Sequence, residues 1–163
     1  MLIRDATPDD LPFLERMWHT AAFWQPEVFV MSVDDARQIP EIARYIDGWG
    51  RPGDVGLIAE EDELPLGAAW YRTFSADDPG YGFVDDDTPE LAIAVDAEAR
   101  RRGVATSLLD ALITRARDEG KPALSLSVNT DNPSRQIYER CGFVDVRSDD
   151  GSFVMVRDLR API

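Results

Sequence analysis

An α/β (α+β) domain with a mixed sheet is the fold class this sequence predicts, and three observations predict it. The apolar run Leu91 to Val95, the helical stretch Ser107 to Glu119 and the apolar run Ala123 to Val128 form a strand, helix, strand passage, which implies a parallel crossover. Two other pairs of strand-like runs, Asp54 to Glu60 with Pro65 to Phe74 and Phe143 to Arg147 with Phe153 to Leu159, read as antiparallel partners. The length of 163 residues is that of one domain spanning 1–163, enough to bury roughly two-thirds of its unfolded surface around a single core.

Leu2, Ile3 and Arg4 open a first strand. Thr7, Pro8, Asp9 and Asp10 then read as a helix start, with a hydroxyl cap, a proline in the first turn and acids matched to the dipole. Leu11, Leu14, Trp18 and Ala21 or Ala22 follow at helical spacing. Ser32 to Asp35 is a second capping pattern, and Pro40 breaks or bends that helix before it finishes near Gly48. Ser75 to Pro89 holds five aspartates with Gly80, Gly82 and two prolines, the composition of a long loop or irregular extension. Glu90 to Val95 is the next strand. The helix after it is closed by Gly120, and a short helix, Pro133 to Cys141, opens at Asp131 or Asn132 and precedes the last two strands.

Seventeen basic against thirty-one acidic residues give a formal net charge of −14. That balance opposes nucleic acid and anionic membranes as partners. A lone cysteine, Cys141, and a lone histidine, His19, cannot build a disulfide or a metal site of the cysteine or histidine kind, so no metal is expected. The chain starts on a strand rather than a basic and apolar leader, and no run reaches membrane-spanning length, which gives a cytoplasmic expectation.

Against this acidic background the turn Arg100, Arg101, Arg102, Gly103, Val104, Ala105, Thr106 stands out. It joins a strand to a helix start, where unpaired N–H groups and the positive end of the helix dipole receive anions. Gly103 and Ala105 leave the backbone open, and arginines fork onto phosphate oxygens. A diphosphate-bearing ligand is therefore expected. A phosphotransferase is disfavoured because no lysine follows the glycine turn and no G-x-x-x-x-G-K pattern is present.

Two blocks carry a resemblance. Arg100-x-x-Gly103-x-Ala105 within Val95 to Ala105, and Asn132-Pro-Ser-Arg-Gln-Ile-Tyr138-Glu-Arg-Cys-Gly142-Phe143, together resemble the GNAT superfamily of acyl-CoA-dependent N-acyltransferases. The resemblance implies a mostly antiparallel sheet of six to seven strands with a splayed parallel pair in the centre and about four flanking helices. It implies acetyl-CoA as cosubstrate, with its pantetheine arm along Ile93, Ala94 and Val95 and its pyrophosphate on the N–H groups of Arg101 to Thr106. Asn132 would meet the pantetheine or steady the following helix, and the Tyr138 hydroxyl would approach the thioester sulfur. Arg101 departs from the pattern by standing where the family often has glycine. A possible homodimer comes from the resemblance alone.

Acyl transfer from a thioester to an amine needs a neutral amine, a polarised carbonyl and a stabilised leaving thiolate. Glu90, at the start of the strand beside the expected acyl site, is the leading base, acting through water. Tyr138 can protonate the departing sulfur, since a phenol of pKa ~10 is protonated at neutral pH. Cys141 reads as a packing residue, and His19 as a residue on the exposed or half-buried side of its helix. Arg100 and Arg102 are expected near the phosphates, with Arg135 as a further contact. Trp24, Tyr71, Tyr81 and Phe83 are candidates for an apolar acceptor wall, and Asp85, Asp86 and Asp87 for attraction of a cationic amine. The function expected is acetyl transfer to a primary amine of a small molecule or a protein. A non-catalytic acyl-CoA sensor and a transferase of longer acyl groups are the alternatives.

Overall fold

The computed structural model describes residues 1–160. The chain begins with β1 (Leu2–Asp5), a 3₁₀ turn at Pro8–Asp10 and α1 (Leu11–Ala22). The Asp10 carboxylate accepts the Thr7 N–H at 2.7 Å, and Arg4 clasps the same carboxylate at 2.7 Å. That guanidinium holds the Asp10 acid down at about 2. The second expected helix is two single turns, α2 (Val33–Ala36) and α3 (Pro40–Ala43). Ser32 Oγ caps the first by accepting from Asp35 N at 3.0 Å, and Pro40, lacking an N–H, starts the second instead of continuing the first.

The hairpin β2 (Val55–Glu61) and β3 (Leu64–Arg72) turns on Asp62 and Glu63, at φ of 52° and 66°. Both turn residues are left-handed, as a two-residue hairpin of this twist demands, without the Asn-Gly pair that suits it. Replacing Glu63 with glycine is therefore expected to raise the unfolding free energy by about 0.5–1 kcal/mol, measured by urea titration.

β4 (Glu90–Val95), α4 (Val104–Asp118) and β5 (Ala123–Asn129) form the crossover. α4 begins earlier than the sequence pattern predicts because Gly103, at φ 78°, caps it directly. Its other end closes in a Schellman motif, with Gly120 N–H to the Arg117 carbonyl and Lys121 N–H to the Ala116 carbonyl, both at 3.0 Å. α5 (Ser134–Arg140), β6 (Val144–Asp149) and β7 (Ser152–Asp158) complete the described chain. The described residues thus hold five helices rather than about four, the excess arising at Pro40.

The seven strands lie in the order β1-β2-β3-β4-β5-β7-β6, and the β4–β5 pair is the parallel one. Alternation along β3 separates two cores. Ala69 and Tyr71 face α4, whose Leu108, Leu109, Leu112 and Ile113 are buried against them. Ala68 and Trp70 face α1, packing with Leu14, Met17 and Trp18. Trp18 Nε1 donates to the Ile42 carbonyl at 2.9 Å and Trp70 Nε1 to the Tyr45 carbonyl at 3.0 Å. α3 is thereby tied to α1, and the turn after it to the sheet.

Candidate active site

β4 and β5 meet at one register pair, Glu90 with Ser125, backed by Ser125 N–H to the Pro89 carbonyl at 3.0 Å. Beyond it the strands separate. A cleft of about 1160 Å³ opens between Leu91–Val95 on one side and Leu126–Asn129 on the other. Its inner end is the Glu90 apex and its outer end the Gly103 turn.

Glu90 is 3% exposed. The Tyr45 hydroxyl donates to its Oε2, and the Gly82 backbone N–H also favours the ionised carboxylate. Oε1 has no partner. Burial pushes the acid up to about 7, against the opposing pull of the Tyr45 and Gly82 donors and of the nearby Arg44 and Arg147 charges. Tyr45 in turn accepts the Tyr81 N–H at 2.8 Å, and its ring lies over that of Tyr81. Its phenol is held well above its ordinary pKa by burial and by the Glu90 charge. It stays a donor.

The loop before β4 is pressed onto this apex. A Cβ at Gly80 would stand 2.1 Å from Glu90 Oε1, and one at Gly82 would stand 2.7 Å from the Leu126 carbonyl carbon. Only residues without side chains let the loop pass so close to the carboxylate and to β5.

At the outer end, Gly103, Val104, Ala105 and Thr106 line the cleft. The first helical bond across this turn is Ser107 N–H to the Gly103 carbonyl at 3.0 Å, so the preceding N–H groups have no partner within the helix. A Cβ at Gly103 would meet nothing within 4 Å. Together with Arg100 and Arg101, which line the same wall, this cradle has the donors and the space that a pyrophosphate needs. Arg101 itself sits at φ 64°, a left-handed conformation that explains why glycine suits its position.

Tyr138, on α5, lines the cleft from the α4 face. Its ring is 8% exposed and packs edge-on against Phe143 at 6.2 Å, and desolvation alone holds its phenol above the ordinary value. Asn132 lines the cleft and also caps α5, its Oδ1 accepting from Ser134 N at 2.9 Å.

Other expected contacts stand outside the cleft. Tyr71 is on the α4 face of β3 and donates to Glu119 Oε2 at 2.9 Å; its neighbour Trp70 faces the cleft instead. The Phe83 carbonyl accepts from Arg147 at 3.3 Å, and its half-buried side chain is not part of the lining. Asp85 Oδ1 accepts the N–H groups of Asp87 and Thr88 at 2.9 and 2.8 Å, so it shapes its own turn. Asp86 and Asp87 border a separate hollow of about 330 Å³ with Glu119 and Lys121. Arg102 turns to Glu61 at 2.8 Å, and Arg135 pairs with Asp145 and lies 4.0 Å over the Phe153 ring. Trp24 and Tyr81 do reach the cleft. Cys141 is buried at the end of α5, and His19 Nε2 lies 2.6 Å from the Met31 carbonyl.

Tyr45, Trp70 and Glu27 belong to the cleft without having been singled out by the sequence pattern. Tyr45 sits in an irregular turn with no periodic signal. The hydroxyl of an aromatic residue placed amid an apolar helical turn was its only mark.

This fold has counterparts among known proteins. A family model described as "Acetyltransferase (GNAT) family" matches residues 14–143. The chain is 31% identical over 144 residues to a mycothiol acetyltransferase of Propionibacterium freudenreichii subsp. shermanii, covering 88% of this chain but 43% of that protein, so it spans less than half the length of this relative. Among solved structures, the ribosomal-protein-alanine N-acetyltransferase of Brucella melitensis is 25% identical with a TM-score of 0.68, over 97% of this chain and 99% of that one. A PaiA N-acetyltransferase of Thermoplasma acidophilum, solved in complex with coenzyme A, has the same fold at 17% identity and a TM-score of 0.70, over 96% and 98% of the two chains. With a family match over most of its length and a splayed parallel pair at the centre of its sheet, the chain belongs to the GNAT family of acetyltransferases.

Proposed function

We propose that the chain, as one domain, transfers an acetyl group from acetyl-CoA to a primary amine by direct attack on the thioester. The observation that carries this reading is the partnerless oxygen of buried Glu90 at one end of a cleft whose other end is the open Gly103 turn. The cosubstrate supplies the activated acetyl group. Residues 103–106 offer backbone N–H groups to its phosphates, with Arg100 and Arg101 beside them. The edge of β4 past Glu90, freed by the splay, offers Ile93 to Val95 as a strand-like rail for the extended arm.

Glu90 removes the proton that keeps an alkyl amine unreactive at neutral pH, directly or through water. An acid near 7 is half ionised where it must work, which suits a base better than an ordinary carboxylate. Tyr138, kept protonated by burial, donates to the sulfur as it departs. No covalent enzyme intermediate is needed, because the amine itself is the nucleophile.

The direct test is thiol release from acetyl-CoA over a panel of amines, with calorimetry of acetyl-CoA binding alongside. Release that depends on the amine supports the reading; binding with no release across the panel turns it into a sensor. Tyr138→Phe is expected to lower kcat by about 10²-fold with little change in the KM for acetyl-CoA, since the lost hydroxyl matters only as the sulfur leaves. Gly103→Val would place a branched side chain at φ 78° and into the open cradle. Its KM for acetyl-CoA should rise at least about tenfold.

Tyr45→Phe removes a donor that favours the ionised carboxylate. The acidic limb of the kcat/KM profile, near pH 7 in the parent, should move to higher pH. A limb that stays in place would deny Tyr45 this positioning role.

A further inference from the structure

The cations of the cleft sit at one end. Arg100, Arg101 and Arg140 belong to the half built from the 100–106 turn and α5, where Asp131 and Asp150 also line it. The half built from the end of α1, the turn after α3 and the loop at Tyr81 presents Glu27 and Glu90 as its charged lining residues. Of the cations that act on Glu90, Arg44 has its guanidinium taken up by Asp78 and the Pro79 carbonyl, and Arg147 by Asp149 and the Phe83 carbonyl. The aromatic residues Trp24, Tyr45, Trp70 and Tyr81 line the cleft with these two carboxylates. Tyr81 is 57% exposed, so this aromatic lining continues to the mouth.

The lip outside it is apolar as well. Val28, Phe29 and Val30 are 71%, 62% and 46% exposed in one run, directly after lining residues Trp24, Gln25 and Glu27. Phe29 is held against Phe23 at 6.1 Å between ring centres. Three consecutive exposed apolar residues at the rim of a cleft are the kind of patch that covers a ligand.

On the reading that this is an amine acetyltransferase, we infer that the acceptor is a cationic amine on an elongated apolar body with no anionic group beside the nitrogen. The ammonium enters toward the Glu90 end of the cleft, where its proton passes to the carboxylate through water. The carbon body lies along Trp24 and Tyr81, whose ring faces also favour the cation on its way in. The far end reaches the Val28–Phe29–Val30 lip. A carboxylate next to the amine would be brought against Glu27 and Glu90 with no free arginine or lysine to receive it, at a cost that a neutral amide would not meet.

The test is steady-state thiol release from acetyl-CoA with matched amines and the full chain. 2-Phenylethylamine and phenylalaninamide are expected to exceed phenylalanine in kcat/KM by about 10²-fold, and glucosamine, an amine on a polar body, by at least about tenfold. Butylamine to octylamine should climb in kcat/KM as methylenes are added, and Phe29→Ser should flatten that climb while butylamine itself changes less. Glu27→Lys should narrow the preference for 2-phenylethylamine over phenylalanine by about tenfold, through the KM of the amine. Phenylalanine used as well as its amide, glucosamine preferred over the apolar amines, or an unchanged chain-length series in Phe29→Ser would overturn the inference and leave amine acetylation standing. Acetyl-CoA binding with no release for any amine would overturn the proposed function itself, and the inference with it.

Discussion

Glu90→Gln is expected to lower kcat/KM for the amine by about 10²–10⁴-fold at pH 7, the range a positioned base commands. Glutamine keeps the shape and the acceptor oxygen that Tyr45 and the Gly82 N–H address, so the fold around the apex is retained while proton removal is lost. Two further readouts separate this role from a packing role. The acidic limb of the profile, expected near pH 7 in the parent because burial lifts Glu90 to about 7, should disappear in the variant. Stability changes in the opposite direction to activity. An acid whose folded pKa lies above its ordinary 4.5 binds more protons folded than unfolded between those two values, so the parent loses stability as pH rises through that window and stays lower above it. The glutamine variant lacks that loss. Its melting temperature, compared with the parent at pH 5 and pH 8, should therefore gain on the alkaline side. A variant with parental kcat and a parental acidic limb would remove Glu90 from the chemistry.

Features set by local chain geometry are legible in the sequence, and those set by tertiary contact are not. The Gly103 turn could be read because the requirement is local: a strand, an open turn and a helix start in succession create the N–H cradle wherever the chain goes next. β4, α4, β5 and the two flanking hairpins were readable for the same reason, each having its own period and punctuation. Tyr71 shows where this stops. Strand alternation says that Trp70 and Tyr71 face opposite ways, but which of them faces the cleft depends on which helix covers which side, and the sequence does not carry that. Glu90 was placed at the start of its strand correctly, yet its burial depends on Gly80, Gly82 and Tyr45 arriving from two remote segments. The aspartate run reads as a solvated loop or as a lure for cations, and Asp85 satisfies backbone N–H groups two and three residues on, a local use that its side chain length favours. Arg102 and Arg135 share a residue type with Arg100 and Arg101, but each finds a carboxylate nearby, at Glu61 and Asp145. Charge without a fixed direction cannot be assigned to a ligand in advance.

Asp54→Ala is expected to destabilise the protein by about 3–5 kcal/mol, a loss of roughly 10 °C in Tm. Arg72 is 1% exposed on β3, and its guanidinium forks onto Asp54 at 3.1 and 2.9 Å, with the two side chains 1% and 3% exposed. A third nitrogen donates to the carbonyls of Arg44 and Asp47 at 3.0 and 2.7 Å, and the Trp49 ring lies 5.5 Å from the guanidinium carbon. Removing Asp54 leaves a cation buried with two carbonyls and no counter-charge. Arg72→Met should cost less, because the Asp54 carboxylate still accepts the N–H groups of Gly50 and Arg51 at 3.1 and 3.0 Å. The double variant should recover part of the Asp54→Ala loss, since it removes the orphaned charge as well as the pair. The consequence reaches the active site. Arg72 is the register partner of Glu90 across β3 and β4, and the carbonyls it holds flank Tyr45 in the chain, so the same side chain fixes both the strand that carries the base and the turn that carries its hydrogen-bond donor. Urea titration of the two single variants and the double measures the pair. At temperatures where Asp54→Ala is still folded, its acidic limb should drift to higher pH, in the direction set by Tyr45→Phe, because a loosened turn delivers the phenol less often. A stable Asp54→Ala protein with a parental pH profile would show that the buried pair neither supports the fold nor reaches the base.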